Sequence, residues 1–496
     1  MSAKITLTGR TFGKQKRFMR EFAYKYLNHL PVIVFIGGLL AVGWWILYNP
    51  WAALAPSLPG ADGYTGTAGG AEEMVVIGAH FEEMRAPLTV EGESWPRFRG
   101  ENFDNIYHNR VPLIDNFSQG GSEILWSVEL GEGHAGPAIY EGLVYLLDYD
   151  EDIRADMLRV FSLETGEELW RRWYNVHIRR NHGMSRTVPA VSEEFILTIG
   201  PRGHVMCVDR LSGDLLWGID IEREWNAEIP LWYTGQCPLL DDGVAVIAPG
   251  GDALMIGVDA ATGEILWETP NPHGWEMSHS SIIPFTYDGV KMYVYSAVGG
   301  AVGVAADGPR AGEVLWEVPE WNHRVLAASP VCLPDGRIFL TAGYGAGSMM
   351  LQLHHRNGTF EPEILETFRP GEGLSSEQQT PVYIDGHLFG VLPKDARAMR
   401  NQFVCVDPDD ITSFVWTSGS TARFGLGPFI LADGKFYMLD DDGTLYIIEK
   451  SLQGFRQLDS MRLIEDGHDA WAPLAIADGY MLLRDDHTMI CIDLKR

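Results

Sequence analysis

Cysteine is scarce in this chain of 496 residues: Cys207, Cys237, Cys332, Cys405 and Cys491 are the only ones. No two are neighbours and none forms a C-x-x-C pair, so a zinc or thioredoxin-like centre lacks its ligands. Basic charge is scarce as well. Lys and Arg number 38 against 67 Asp and Glu, a formal net charge of −29. Nucleic-acid binding needs a basic footprint, which this acidic body excludes. Long uncharged apolar runs are limited to one, from Leu30 to Tyr48.

The few bases are unevenly placed. Residues 1–29 carry +6, which leaves −35 on the rest. A basic flank ahead of an apolar run of about 20 residues, with Trp44, Trp45, Tyr48 and Trp51 at its far end, has the form of a single membrane-spanning helix. The expected order is a basic cytoplasmic segment 1–29, a transmembrane anchor 30–51, a flexible linker 52–93 and a lead-in segment 94–119. The positive-inside rule puts the N-terminus in the cytoplasm and the body outside, and the expected location is a bacterial inner membrane with the propeller in the periplasm.

Gly (55) and Trp (16) are plentiful, as short strands with tight turns and aromatic wedges require. They fall in a repeat. Val258-Asp259-Ala260-Ala261-Thr262-Gly263-Glu264-Ile265-Leu266-Trp267 reads as two strands reversing at Thr-Gly, and forms of it end at Trp126, Trp170, Trp217, Trp316 and Trp416. Leu365 and Leu458 stand near the Trp position in two degenerate copies, so the markers recur every 42–51 residues. That period is a four-stranded propeller blade. Eight inner-strand starts, such as Gly136-Pro137-Ala138 and Val188-Pro189-Ala190, accompany them. The chain ends on the inner half of a unit at Cys491-Ile492-Asp493, and an outer half stands alone near Trp126. The fold expected is all-β: an eight-bladed β-propeller over 120–496, its last blade closed by strands from both ends. The six tryptophans are expected to dock one blade on the next, and the cysteines two residues before a repeat Asp to be small buried strand residues.

The repeat resembles the tryptophan-docking motif of the quinoprotein-like (PQQ-like) eight-bladed propeller superfamily, with Gly257 in place of its leading Ala. Trp95-Pro96-Arg97-Phe98-Arg99-Gly100 is similar to a lead-in found before many such repeats. The superfamily holds PQQ-dependent dehydrogenases and also non-enzymatic scaffolds such as BamB, the propeller lipoprotein of outer-membrane β-barrel assembly. In the enzymes the resemblance implies PQQ with Ca²⁺ in the axial funnel and a disulfide between adjacent cysteines. No adjacent pair exists here, so the BamB-like branch is expected, with no cofactor, no metal and no assigned catalytic residue.

Loops entering the inner strands should rim one face of the funnel. They carry His134, His182, Arg186, Trp232, Tyr233, Gln236, Trp275, His279, His323, Glu377, Gln378, Arg423, His468 and Trp471. On a rigid scaffold such loops are where binding residues gather. The same side chains could instead hydrogen-bond between blades and plug the channel. The expected function is a membrane-anchored scaffold or accessory subunit, contacting the bilayer through 30–51 and other proteins through the propeller. The alternatives are a PQQ-dependent oxidoreductase and small-molecule or glycan binding in the funnel.

Overall fold

The copies of the repeated turn at Asp209 and Asp259 fold for the same local reason. The Asp259 carboxylate accepts the amides of Ala261 and Thr262 and the Thr262 hydroxyl at 2.8–3.1 Å. Asp209 does the same for Leu211 and Ser212. The amide of Gly263 then closes on the Asp259 carbonyl at 2.8 Å. Gly166, Gly213, Gly263 and Gly312 all take φ between +68° and +84°, where a side chain is strained. The spacing of Asp, Thr or Ser, and Gly is thus set by the turn's own hydrogen bonds.

In this computed structural model residues 29–47, 74–108, 110–120 and 123–496 are described. They fall into two units, 1–70 and 71–496. In the first, Leu30–Leu47 is one α-helix of 18 residues. At about 1.5 Å per residue it is about 27 Å long, short of the 30–51 span expected and of a hydrocarbon core of about 30 Å. Among the described residues no helix is long and apolar enough to cross a membrane. The basic segment before His29 and the residues 48–73 lie outside the described residues.

The second unit is the propeller. Eight antiparallel sheets follow one another along the chain. The first blade runs Ala138–Tyr140, Leu143–Asp150, Ala155–Ser162 and Glu168–Asn175, from the axis outward. The last consists of Ala475–Ala477, Tyr480–Arg484 and Thr488–Asp493, completed by Ile124–Glu129 from the other end of the domain. Ile124 faces Ile492 and Trp126 faces Cys491, so the ring closes as the unpaired half-units require. Seven of the eight inner strands open one or two residues after their Pro, a position where the missing N–H costs no ladder bond, and the eighth, Ile283–Tyr287, carries Pro284 as its second residue.

Five of the six docking tryptophans sit opposite a Cys or Gly, and Trp170 faces Val160. Cys207 faces Trp217, Gly257 faces Trp267, Gly303 faces Trp316, and Cys405 faces Trp416. A register shift follows at once in each case, a bulge that turns the indole out of the sheet. The cysteines are therefore packing residues; a Cβ on Gly257 or Gly303 would lie within about 2.2 Å of the indole. The indole reaches the next blade. Trp126, Trp217 and Trp416 donate to the carbonyls of Leu163, Ala260 and Ser451 at 2.7–2.8 Å.

Two segments read as linker and lead-in are built into the ring. His80–Glu83 adds a fifth, antiparallel strand outside Glu168–Asn175, with Phe81 against Trp170. Here Glu82 and Glu168 pair with Arg171, and Arg172 donates to the carbonyls of Gly213 and Gly78. Both bases of Glu168–Asn175 are thereby taken up. Inside, the lead-in crosses the axis: Trp95 bridges Ile139 of the first blade, Val191 donates to the Pro96 carbonyl, and Arg97 donates to Leu240 O at 3.2 Å. Ile106–Tyr107 then runs parallel to Phe429–Ala432 of the seventh blade. The segment joins inner strands on opposite sides of the ring and stops one end of the channel.

Candidate functional site

Strand direction decides which loops share a face. In a four-stranded meander the loop entering the first strand and the loop between the second and third lie at one end; the other two turns lie at the opposite end. The Thr-Gly turns occupy one face, and the loops singled out from the sequence occupy the other. There a funnel of about 110 Å³ opens on the axis. His134, Arg186, Trp232, His279, Glu377, Gln378 and Trp471 line it, seven of the fourteen residues expected there. Phe98 of the lead-in also lines it, as does Cys237.

Tyr344 also lines the funnel and was not foreseen. It comes from the loop between Arg337–Ala342 and Gly347–Arg356, within a blade, whereas the sequence argument counted only loops between blades. The meander's alternation could have found it, because both loop classes open on the same side. Lys394 enters by the equivalent loop of the following blade, its ammonium 5.0 Å from the Tyr344 ring.

Arg186 is the organising cation. Its Nε donates to the Trp232 carbonyl at 2.6 Å and its Nη2 to the carbonyls of Asn181, His182 and Gly183. Its Nη1 makes no hydrogen bond among the described residues. Burial lowers its pKa to about 10, which leaves it charged at neutral pH. The two imidazoles stay neutral. Burial, reinforced by Arg186, lowers His134 to about 3 and His279 to about 4. His134 Nδ1 is buried without a partner, its ring 5.0 Å from Trp471. Trp232 stands 6.2 Å from His279 and 5.7 Å from Tyr344, ring to ring. The one lining carboxylate, Glu377, is held by Lys394 Nζ at 2.6 Å.

The remaining candidates are elsewhere. Gln236 is fully buried, bonded to both backbone groups of Ala248 and to the Tyr295 hydroxyl, so it locks a blade. Trp275 is buried over Gly299 and Gly300. His323 packs edge-on against Trp321, and Arg423 ties Ser420 to Ala398 and Arg400. Tyr233 donates to the Arg179 carbonyl. His182 and His468 are exposed on the rim. Seven of the fourteen thus line the funnel, and Gln236 and Trp275 pack within and between blades.

Four of the nineteen described non-glycine residues with positive φ stand on these loops. His182, Trp232, Tyr233 and Tyr344 all have φ between +50° and +73°, a conformation that costs non-glycine residues on the order of 1 kcal/mol each. The surrounding ring has to hold it.

An eight-bladed ring docked by tryptophans, with an axial funnel, is the architecture of the PQQ-like propellers. Residues 154–417 match the family described as outer membrane protein assembly factor BamB, and the chain belongs to that family. No curated protein matches it by sequence. Among solved structures it is similar to BamB from Moraxella catarrhalis, with 10% identity, a TM-score of 0.50 and coverage of 75% of this chain and 99% of that one. It is also similar to quinohemoprotein alcohol dehydrogenase from Comamonas testosteroni, at 11% identity, TM-score 0.55, covering 82% and 81%. At such identities the likeness is one of fold.

The donor set does not fit the quinone cofactor with its calcium ion. Calcium takes six to eight oxygens, and the lining supplies a single carboxylate already spent on Lys394. Among the described residues no group of three or more His, Cys, Asp or Glu is placed to hold a metal. Cys237 is the one cysteine in the funnel, a free thiol raised to about 11 by burial.

Proposed function

We propose that this chain is a protein-binding scaffold, an accessory subunit of a membrane complex that presents its funnel face to partner proteins on the outward side. The observation that carries the reading is that face. Positive-φ loops display Trp, Tyr and Arg on a rigid ring, the residue types that dominate protein hot spots. Membership of the BamB family supports it.

Membrane attachment is part of the proposal. The uncharged run extends in sequence to Tyr48, behind a basic flank, and the helix Leu30–Leu47 occupies most of it. The reading places residues 1–29 in the cytoplasm and the propeller in the periplasm of a bacterial inner membrane. Retention of the full chain in membrane pellets through alkaline washing tests the anchor; release would remove it.

Photo-crosslinkers at His182 or His468 on the funnel rim, compared with Leu452 on the opposite face, test the scaffold. One stoichiometric membrane protein should be captured from the rim positions and not from Leu452. A chain that leaves gentle detergent as a clean monomer, with no rim-specific adduct, would sink it. Turnover of alcohols or sugars after reconstitution with PQQ and Ca²⁺ would sink it too.

A further inference from the structure

The funnel holds a combination that blade packing does not need. An arginine fork is fixed by four backbone carbonyls, with Nη1 left over. A neutral imidazole, His134, is 94% buried and lines the funnel with its Nδ1 unpaired. Gln378 Oε1 is likewise buried and unpaired. Packed proteins rarely leave buried polar atoms unsatisfied, and a cluster of them around one cavity marks a place where something else supplies the partner.

The walls say what shape it has. Trp232, Tyr344 and Trp471 are flat and apolar, and the space between them is about 110 Å³. An enclosed cavity of about 150 Å³ admits benzene, so this funnel, open at its mouth, matches a single ring. The charge says the rest. Glu377 and Lys394 cancel each other, which leaves Arg186 as the net charge of the pocket, a positive point on a strongly acidic body. Arg186 is fixed in place before any ligand arrives, and a planar guanidinium matches a carboxylate.

The geometry points to a metal-free receptor site in the funnel for a small planar carboxylate, about the size of benzoate, its carboxylate on Arg186 Nη1 and its ring against Trp232 and Tyr344. The site is smaller than a tricyclic quinone requires and uses no calcium. It does not depend on the scaffold reading. Loss of the rim-specific crosslink would leave it standing, and absence of ligand binding would leave the scaffold standing.

The test is calorimetric titration of the detergent-solubilised full chain with benzoate, benzamide and cyclohexanecarboxylate, each with EDTA present. Benzoate is expected to saturate below about 10 mM and to bind about tenfold tighter than benzamide, which keeps the ring and loses the charge. Cyclohexanecarboxylate keeps the charge and loses the flat face, and should bind more weakly than benzoate. Arg186→Gln should abolish the preference for benzoate over benzamide. Tyr344→Ala, at a half-exposed position, should weaken benzoate several-fold and leave thermal stability unchanged. If Arg186→Gln does not fold, the ligand series on the wild-type chain and Tyr344→Ala still decide. Benzoate that fails to saturate, or benzamide that binds as tightly, overturns the proposal.

Discussion

The indole Nε1 of Trp217 donates to the carbonyl of Ala260, 2.8 Å away in the turn of the next blade. A Cβ added to Gly263 of that turn would lie 2.7 Å from the indole. One glycine therefore meets two demands, a φ of +77° and a flat surface under the neighbour's ring. Gly289 has the same φ, +78°, with nothing within 4 Å of its Cβ position. Gly289→Ala should cost about 1 kcal/mol, the backbone term alone, and Gly263→Ala about 2–4 kcal/mol. Equal midpoints in thermal or urea unfolding would contradict this account of blade docking.

Ring closure makes a sharper prediction. Removal of residues 488–496 deletes the strand that pairs with Ile124–Glu129 and exposes Tyr480–Arg484 as a second open edge. Open edges template association. The truncated chain should lose its cooperative transition and elute as soluble aggregate in size-exclusion chromatography. A monomeric, cooperatively folding product would show that closure adds little.

The lead-in is a further point of leverage. Trp95 is 2% exposed, bridges Ile139, and lies against Gly100, whose added Cβ would come within 2.8 Å of the ring. Trp95→Ala should destabilise the propeller by about 3–5 kcal/mol, as for a core aromatic, although it precedes the first blade. Calorimetry of the variant checks this; a loss under 1 kcal/mol would make the segment an accessory.

Acid should weaken the fold. Burial lowers His134 to about 3 and His204 and His279 to about 4, below the ordinary 6.5. Each takes up a proton more readily unfolded than folded, so its contribution is complete above about pH 6.5 and is lost as pH falls toward 4. Asp156 opposes them. Fully buried against Tyr174 and Ser185, it is raised from 3.8 to about 7, so its contribution is complete below about pH 4 and is lost as pH rises through 7. Asp156→Asn should raise the urea midpoint at pH 8 and steepen its fall between pH 6.5 and 4; His204→Gln should flatten that fall. A midpoint independent of pH over this range would refute both assignments.

Much of the ring was legible because its determinants are local. Asp259, Thr262 and Gly263 are joined by hydrogen bonds spanning four residues, so the turn can be read from a short window. The cysteines opposite the tryptophans were legible for a similar reason: Cys207 and Trp217 belong to one hairpin. The strand at His80–Glu83 was not. Its residues are exposed and lie in a Gly-rich neighbourhood, and they become a strand only because Glu168–Asn175 offers an edge about 90 residues away.

By itself, the sequence determined the number of blades, the turn chemistry, the closure of the ring and the face on which the varied loops would gather. These follow from periodicity and from hydrogen bonds between near neighbours. The tertiary structure alone decided which loop residues meet. Arg186, His134 and Tyr344 come from three different parts of the ring, and Gln236 and Trp275, drawn from the same class of loops, turn inward to hold blades together. A side chain's direction at the axis depends on the packing of blades far apart in sequence, and no local pattern encodes it.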